Sequence, residues 1–453
     1  MKTMALLIML CFFATSCHSD FLDIKSEKRL VVLSKIDEFQ ALMDRVSVMN
    51  QSSSHQLAIL SIDDYYLSDD DWKSLTASTQ RNSYLWMEEV FEGENVGDWN
   101  NAYQRIFYAN VAIEGLKRLQ PSEDDMKLWE AVMGRALFHR ALNHFNLMQL
   151  FGEYTGGLDI DGLGIPLRKE SDISVPITRA TLKETYDFII NDLKQALLLL
   201  EPLPSNPERP SKMSVYMLLS KIMLYLRDYE KSWEYASHAL TIDDELIDFN
   251  TLDLSNAMVF PIYAQGNPEV KFNTWIQLVA SLGEERLRVD TTLVSLYDVD
   301  DLRRQAYFIF EDKNTIRFKG SYVGYAIPFT GLSTNELYTI AMEAAVRTNR
   351  LDQGLQLYNK LRKSRYRKDQ YTEQEKVSAD ILLDLMKEEK RKELVMRASR
   401  WEDLKRYNFE GELITLERKM DGSSYFLHPN SPKYIFPIPD YVVEMSGIQQ
   451  NSR

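Results

Sequence analysis

Apolar residues recur along most of the chain at intervals of three and four, the spacing that places them on one face of a helix. Downstream of Ser34, Ile36, Phe39, Leu42, Met43 and Val46 follow this period, with Ser34 where an N-cap would sit. Trp99, Tyr103, Ile106, Ala109, Ile113 and Leu116 form a second stripe. After Pro121 comes a third: Leu128, Val132, Ala136, His139, Leu142, Phe145 and Met148. The last two predict an antiparallel helical pair, closed by an irregular loop marked by Gly152, Gly156, Gly157, Gly162, Gly164 and Pro166.

A further helix is predicted from about Thr181 to Leu200, stopped by Pro202, Pro204, Pro207 and Pro210. Val215, Leu218, Leu219, Ile222 and Leu226 then line one helix, residues 227–230 make a turn, and Trp233, Ala236, Ala239 and Leu240 line its partner. The same form returns with Leu337, Ala341, Ala344 and Ala345, a turn at 349–352, and Leu355, Tyr358 and Leu361. Small residues facing large ones at about the period of a tetratricopeptide repeat predict stacked helical hairpins. The expected fold is therefore all-α with units at about 97–151, 181–242 and 334–364. A large irregular insertion, 243–331, is rich in aromatic, Pro, Gly and β-branched residues. Loops, short helices and brief strands are expected in it, and insertions of this kind carry binding surface.

The first residues differ. Lys2 precedes an apolar run from Met4 to Phe13 and a small-residue stretch, Ala14-Thr15-Ser16, before Cys17. This predicts a signal peptide, 1–16, ahead of one domain, 17–453. The run is about half of the roughly 20 apolar residues that span a bilayer. The only other cysteine, Cys11, lies within the signal, so no disulfide is expected in the mature chain. Ala-Thr-Ser-Cys resembles a lipobox, with Ala14 where Leu is usual, which makes Cys17 the candidate lipidation site. The chain carries 53 basic and 67 acidic residues, a formal charge of −14, which repels nucleic acid and anionic lipid. The basic concentration from Lys387 to Arg406 is interleaved with acids and reads as a solvated or paired helix face.

Candidate chemistry is sparse. His139 and His144 are five apart and lack the His-Glu-x-x-His pattern, so no metal site and no cofactor are expected. Phosphate-binding glycine loops and nucleophile elbows are absent from the sequence. Asp63-Asp64 and Asp69-Asp70-Asp71 lack the glycine and closing Glu of an EF-hand, and a solvated loop is expected there. A carboxylate pair suited to glycoside hydrolysis is not singled out among the acids.

Four motifs together resemble the SusD/RagB family of outer-membrane nutrient-binding lipoproteins: Cys17 followed by Phe21-Leu22-Asp23; Trp99-x-x-x-Tyr103-x-x-Ile106-x-x-Ala109-Asn110; Arg135-Ala136 through Phe145 to Leu150-Phe151-Gly152; and Glu389 to Arg406 with the closing Tyr434-Ile435-Phe436-Pro437-Ile438-Pro439. The C-terminal family region is taken as 387–453. Arg397-Ala398 stands where the family commonly has Glu-Gly. Glu389, Glu393, Arg400 and Asp403, on neighbouring helix faces, read as structural ion pairs. The resemblance implies a non-catalytic binder packed on a SusC-like, TonB-dependent transporter, lipid-anchored at the outer membrane and facing the cell surface, with an oligosaccharide or polysaccharide as ligand. Sugar binding needs flat ring faces with amide or charged groups beside them. Tyr65, Tyr66, Trp72, Trp86, Trp275 and Tyr322 are accordingly the candidate ligand contacts, whereas Trp99, Trp233 and Trp401 are assigned to the core. Peptide binding, a structural lid without a ligand site, and a glycoside hydrolase are the rival readings.

Overall fold

The long apolar stripes fold as helices. The computed structural model describes residues 33–157, 162–204, 206–312 and 315–453; the signal peptide and Cys17 lie outside them. Helix α1 spans Ile36–Met43, α2 Gly97–Arg118, α3 Glu123–Phe151, α4 Leu182–Leu199, α5 Lys212–Tyr225 and α6 Tyr229–Ile242. After the irregular segment come α7 at Thr334–Arg347, α8 at Leu351–Lys363, α9 at Ala379–Glu393 and α10 at Ser399–Phe409. Local chemistry starts several of them. The Ser122 hydroxyl accepts from Asp125 N at the head of α3, and Thr181 and Glu184 form a reciprocal capping box on α4.

The helices pack as successive hairpins: α2 on α3, α3 on α4, α5 on α6 and α7 on α8, with α7 also against α6 and α9. This is the all-α, tetratricopeptide-like stack expected from the periodicity. Close approach is built in at Gly115, where a Cβ would stand 2.0 Å from the Phe39 ring, so α1 lies directly on α2. The tight turns of two hairpins each use a left-handed residue, Arg227 at φ 63° and Asn349 at φ 62°. Strands among the described residues are short two-stranded pairs: β1 (Tyr65–Tyr66) with β5 (Arg288–Val289), β2 (Leu163–Pro166) with β3 (Arg179–Thr181), β4 (Val270–Phe272) with β8 (Leu332–Ser333), β6 (Phe308–Phe310) with β7 (Ile316–Phe318), and β9 (Leu416–Met420) with β10 (Ser423–Leu427).

Residues 243–331 carry brief helices and strands, and buried charge ties them to the scaffold. Arg303 donates to both carboxylate oxygens of Asp301, at 2.9 and 2.7 Å, and reaches Glu389 at 2.6 Å and Glu393 at 2.8 Å on α9. Arg365, beyond α8, bridges Glu393 to Glu269, each at 2.8 Å. All six side chains are fully buried. Arg400 clasps Asp63 through two bonds at 2.9 and 2.8 Å, and Lys390 and Arg406 hold Asp403 at 2.7 and 3.1 Å. The motif carboxylates and Arg400 are thus structural ion pairs, and the pairs reach past the repeats into the insertion and the N-terminal segment.

Two expectations are corrected here. Asp63 and Asp64 do not form a solvated loop: Arg391 and Arg400 on the C-terminal helices neutralise Asp63, and Asp64 is fully buried against Arg391 and the Met396 amide. Trp233 is half-buried rather than core, with the Arg350 guanidinium 5.9 Å from its ring.

Burial alone would raise the Glu389 carboxyl, but Arg303 and Lys392 beside it hold it at about 2, below its ordinary 4.5. A depressed carboxylate stabilises the fold above its unfolded value and loses that contribution as pH falls toward its folded value. Between pH 4.5 and 2, unfolding free energy should therefore drop more steeply in the wild type than in Glu389→Gln, measured by denaturant midpoints; parallel slopes would refute the assignment. At pH 7 the substitution should cost about 3 kcal/mol, because it leaves Arg303 partly uncompensated in the core.

Candidate functional site

A concavity of about 570 Å³ opens along the N-terminal half of α2. Trp99, Tyr103 and Phe107 follow one another at steps of four residues, a backbone rise of about 6 Å each, so their rings lie in a row along one side of the helix. Trp99 is buried and forms the floor, its ring edge-on to Phe151 at 5.0 Å and 4.9 Å from Tyr103. Phe107, at the other end, is 37% exposed. Ile106 and Ala109 on the opposite face are completely buried. The family-like stripe of α2 thus divides into a core face and a cleft face.

One wall is the connection between β2 and β3, which contributes Arg168, Glu170, Asp172, Ser174 and Val175. Its base is pinned from below. Asn110 donates to the carbonyls of Arg168 and Glu170, both at 3.0 Å, and Glu114 accepts from the amide and hydroxyl of Ser171, both at 2.6 Å. Arg140 on α3 donates to Asn110 Oδ1 at 2.9 Å and to the Lys169 carbonyl at 3.3 Å, while gripping Asp192 on α4 through bonds of 2.7 and 2.8 Å. Beyond Ser171 the wall stands in solvent. Ser174 donates its amide and hydroxyl to Asp172, which holds that carboxyl below the usual range and keeps it ionised.

The facing wall is a short C-terminal helix, α11 (Asp440–Ser446), with Tyr441, Val442 and Met445 toward the cleft. Tyr441 donates to Asn100 on α2 at 2.7 Å. Gly447, at φ 67°, ends α11 and turns the chain back, and Arg179 on β3 then captures the Gln449 carbonyl at 3.0 Å and Asn451 at 2.8 Å. Tyr103 spends its hydroxyl on the Pro166 carbonyl, at 2.8 Å. Its ring face, not its oxygen, is what a ligand can use.

The aromatics expected from sequence fall into two groups. Tyr65, Trp86 and Tyr322 are 1–2% exposed. Tyr65 and Trp86 donate to the carbonyls of Leu60 and Ser61, both at 3.0 Å, and Tyr322 donates to Glu269. Their rings are covered by protein, which corrects their placement as ligand platforms. Tyr66, Trp72 and Trp275 are half-buried. Tyr66 pairs with Arg288 across β1 and β5, and Asp71, next to Trp72, holds the same arginine at 2.5 Å. Trp72 is pinned by its indole to the Arg81 carbonyl at 3.2 Å. Trp275 bridges Gln51 and Phe329 through its backbone. Trp99 was assigned to the core and is buried, yet it also floors the cleft. Its four-residue step to Tyr103 and Phe107 was the available signal. Among the described residues, no cluster of His, Cys, Asp and Glu is arranged to hold a metal.

Comparison with known proteins accords with this architecture. Residues 20–224 match a SusD-like family model described as starch-binding and associating with the outer membrane. Over that stretch the chain is similar to the SusD-like family. A SusD-like protein P2 of Formosa agariphila is 29% identical over 142 residues, which span 31% of this chain and 26% of that protein. A SusD superfamily structure from Bacteroides thetaiotaomicron superposes at a TM-score of 0.75 and 18% identity, covering 92% of this chain and all of the other. A SusD-like carbohydrate binding protein from Bacteroides vulgatus gives 0.68 and 17%, covering 91% and 97%. At these identities the structural likeness carries the fold. The cleft itself is described from this chain's own side chains.

Asn110→Leu should free the base of the cleft wall. Amides of 168–171 are expected to exchange at least tenfold faster in hydrogen–deuterium exchange, with about 1–3 kcal/mol lost for the orphaned carbonyls; unchanged exchange would show that Asn110 does not anchor the wall.

Proposed function

We propose that this chain captures a nutrient glycan at the cell surface and delivers it to a TonB-dependent, SusC-like outer-membrane transporter, without chemistry of its own. The observation that carries the reading is the row Trp99, Tyr103 and Phe107 in an open cleft edged by Arg168, Glu170 and Asp172. Ring faces suit the apolar faces of pyranoses, and a guanidinium with carboxylates suits their hydroxyls. Glycosidase chemistry would need one carboxyl kept protonated to act as acid. Asp172 is instead held ionised by Ser174, the state of a hydroxyl acceptor. Tyr66 and Trp72, flanking Arg288, are proposed as a second, shallower contact surface.

The lipobox-like Ala-Thr-Ser-Cys supports acylation at Cys17, and two or more acyl chains give a stable anchor. No described helix is long and apolar enough to cross a membrane, so on this reading Cys17 carries the attachment. The peptide reading has one observation in its favour: Ile173 and Met445, exposed by 80% and 86%, stand at the cleft mouth as apolar side chains could in a peptide groove.

Isothermal titration with an oligosaccharide panel and with peptide mixtures separates the two. Glycan heats are expected, weakened about tenfold by Phe107→Ala or Tyr441→Ala, the scale of one lost aromatic contact. Heat from peptides alone would overturn the proposal, and a loss confined to Trp72→Ala would move the site to the Arg288 face.

A further inference from the structure

Above its aromatic floor the cleft carries several aliphatic side chains. Ile173, Val175 and Ile177 line one side, Val442 and Met445 the other, in addition to the aromatic floor. Ile173, Val175 and Met445 are 80%, 43% and 86% exposed, and they sit on opposite walls above the ring row, where they meet whatever substituents a pyranose projects outward. An unsubstituted hexose projects hydroxyls. Against aliphatic side chains each such hydroxyl loses water without gaining a partner. A methyl in the same place loses only unfavourable hydration.

On the α11 side the two polar groups of the lining are already engaged, Tyr441 donating to Asn100 at 2.7 Å and Ser446 to the Val442 carbonyl at 2.5 Å, so the other polar side chains lie on one stretch. Arg168, Glu170, Asp172 and Ser174 all belong to the β2–β3 connection, and Arg168 already donates to the Val175 carbonyl at 2.7 Å. The cleft therefore offers hydroxyl partners along one edge and apolar contact along the rest. Its walls are also fixed where they matter. Arg179 holds the tail after α11, and Asn110 and Glu114 hold the loop before Ile173.

We propose that this cleft selects glycans bearing methyl groups, as O-acetyl, N-acetyl or 6-deoxy substituents, over fully hydroxylated ones. The inference rests on the glycan reading above and narrows it. One edge of each bound sugar bonds to the Arg168 to Ser174 stretch, its ring lies on Tyr103 or Phe107, and its methyl enters the gap between Ile173 and Met445. Burial of one methyl corresponds to roughly a fourfold gain in affinity.

The test is titration calorimetry on the full mature chain with an O-acetylated oligosaccharide and the same material after alkaline deacetylation, alongside a 6-deoxy oligosaccharide and its 6-hydroxy counterpart. Each methyl-bearing member should bind about fourfold tighter per contacting methyl. The double variant Ile173→Ser, Met445→Ser should bring the ratio of affinities within each pair to less than twofold. Both positions are solvent-facing, so a thermal melt matching the wild type is expected and verifies the fold. Equal affinity within each pair, or discrimination that survives the double variant, would overturn the inference and leave glycan binding standing. No heat from any member would overturn both.

Discussion

Arg140 is buried among three helices and a loop, and the cleft depends on how its charge is satisfied. A guanidinium removed from water needs a carboxylate and hydrogen-bond acceptors in fixed directions. Here Asp192 on α4, Asn110 on α2 and the Lys169 carbonyl supply them. The same bonds that neutralise Arg140 therefore set the distance between α2 and the wall that carries Arg168 and Asp172. Removing either partner strands a buried charge, so the helix packing and the cleft are one structural event rather than two.

A similar logic governs the C-terminal half. Arg303, Arg365, Glu389 and Glu393 are fully buried, and their partners lie on segments far apart in the chain. Apolar packing alone tolerates sliding of a loop-rich segment, because hydrophobic contact is non-directional. Bidentate charge pairs do not. Residues 243–331, too short of regular elements to hold their own shape, are positioned by these pairs against α9 and the segment that follows α8. An insertion fixed in this way can present a surface without contributing a domain of its own.

The helices were legible in the sequence because each buries a stripe, and a stripe is visible in the spacing of residues such as Ile106, Ala109 and Ile113. The ion pairs were half legible. The carboxylates of Glu389 and Glu393 stood out, but Arg303 could not be matched to them, nor Glu269 to Arg365, since pairing across 86 or more positions leaves no periodic trace. Aromatic exposure was the least legible feature. Tyr65 and Trp86 sit among acids and turns that read as surface, yet each found a backbone carbonyl nearby and was buried with its polar atom satisfied. Trp99 shows the converse, a buried residue whose ring still bounds open space. Periodicity assigns a side chain to a face of its helix; what lies opposite that face is decided by segments such as α11 that arrive from the far end of the chain.

The account stands on the α2 cleft being where glycan is held. Hydrogen–deuterium exchange of the mature chain with and without a saturating oligosaccharide addresses that point directly. Slowed exchange is expected in 168–177 and 440–447, the two walls, with the interior of α3 unchanged. Slowing confined to 65–73 and 284–290 would contradict the account and place the ligand beside Arg288 instead.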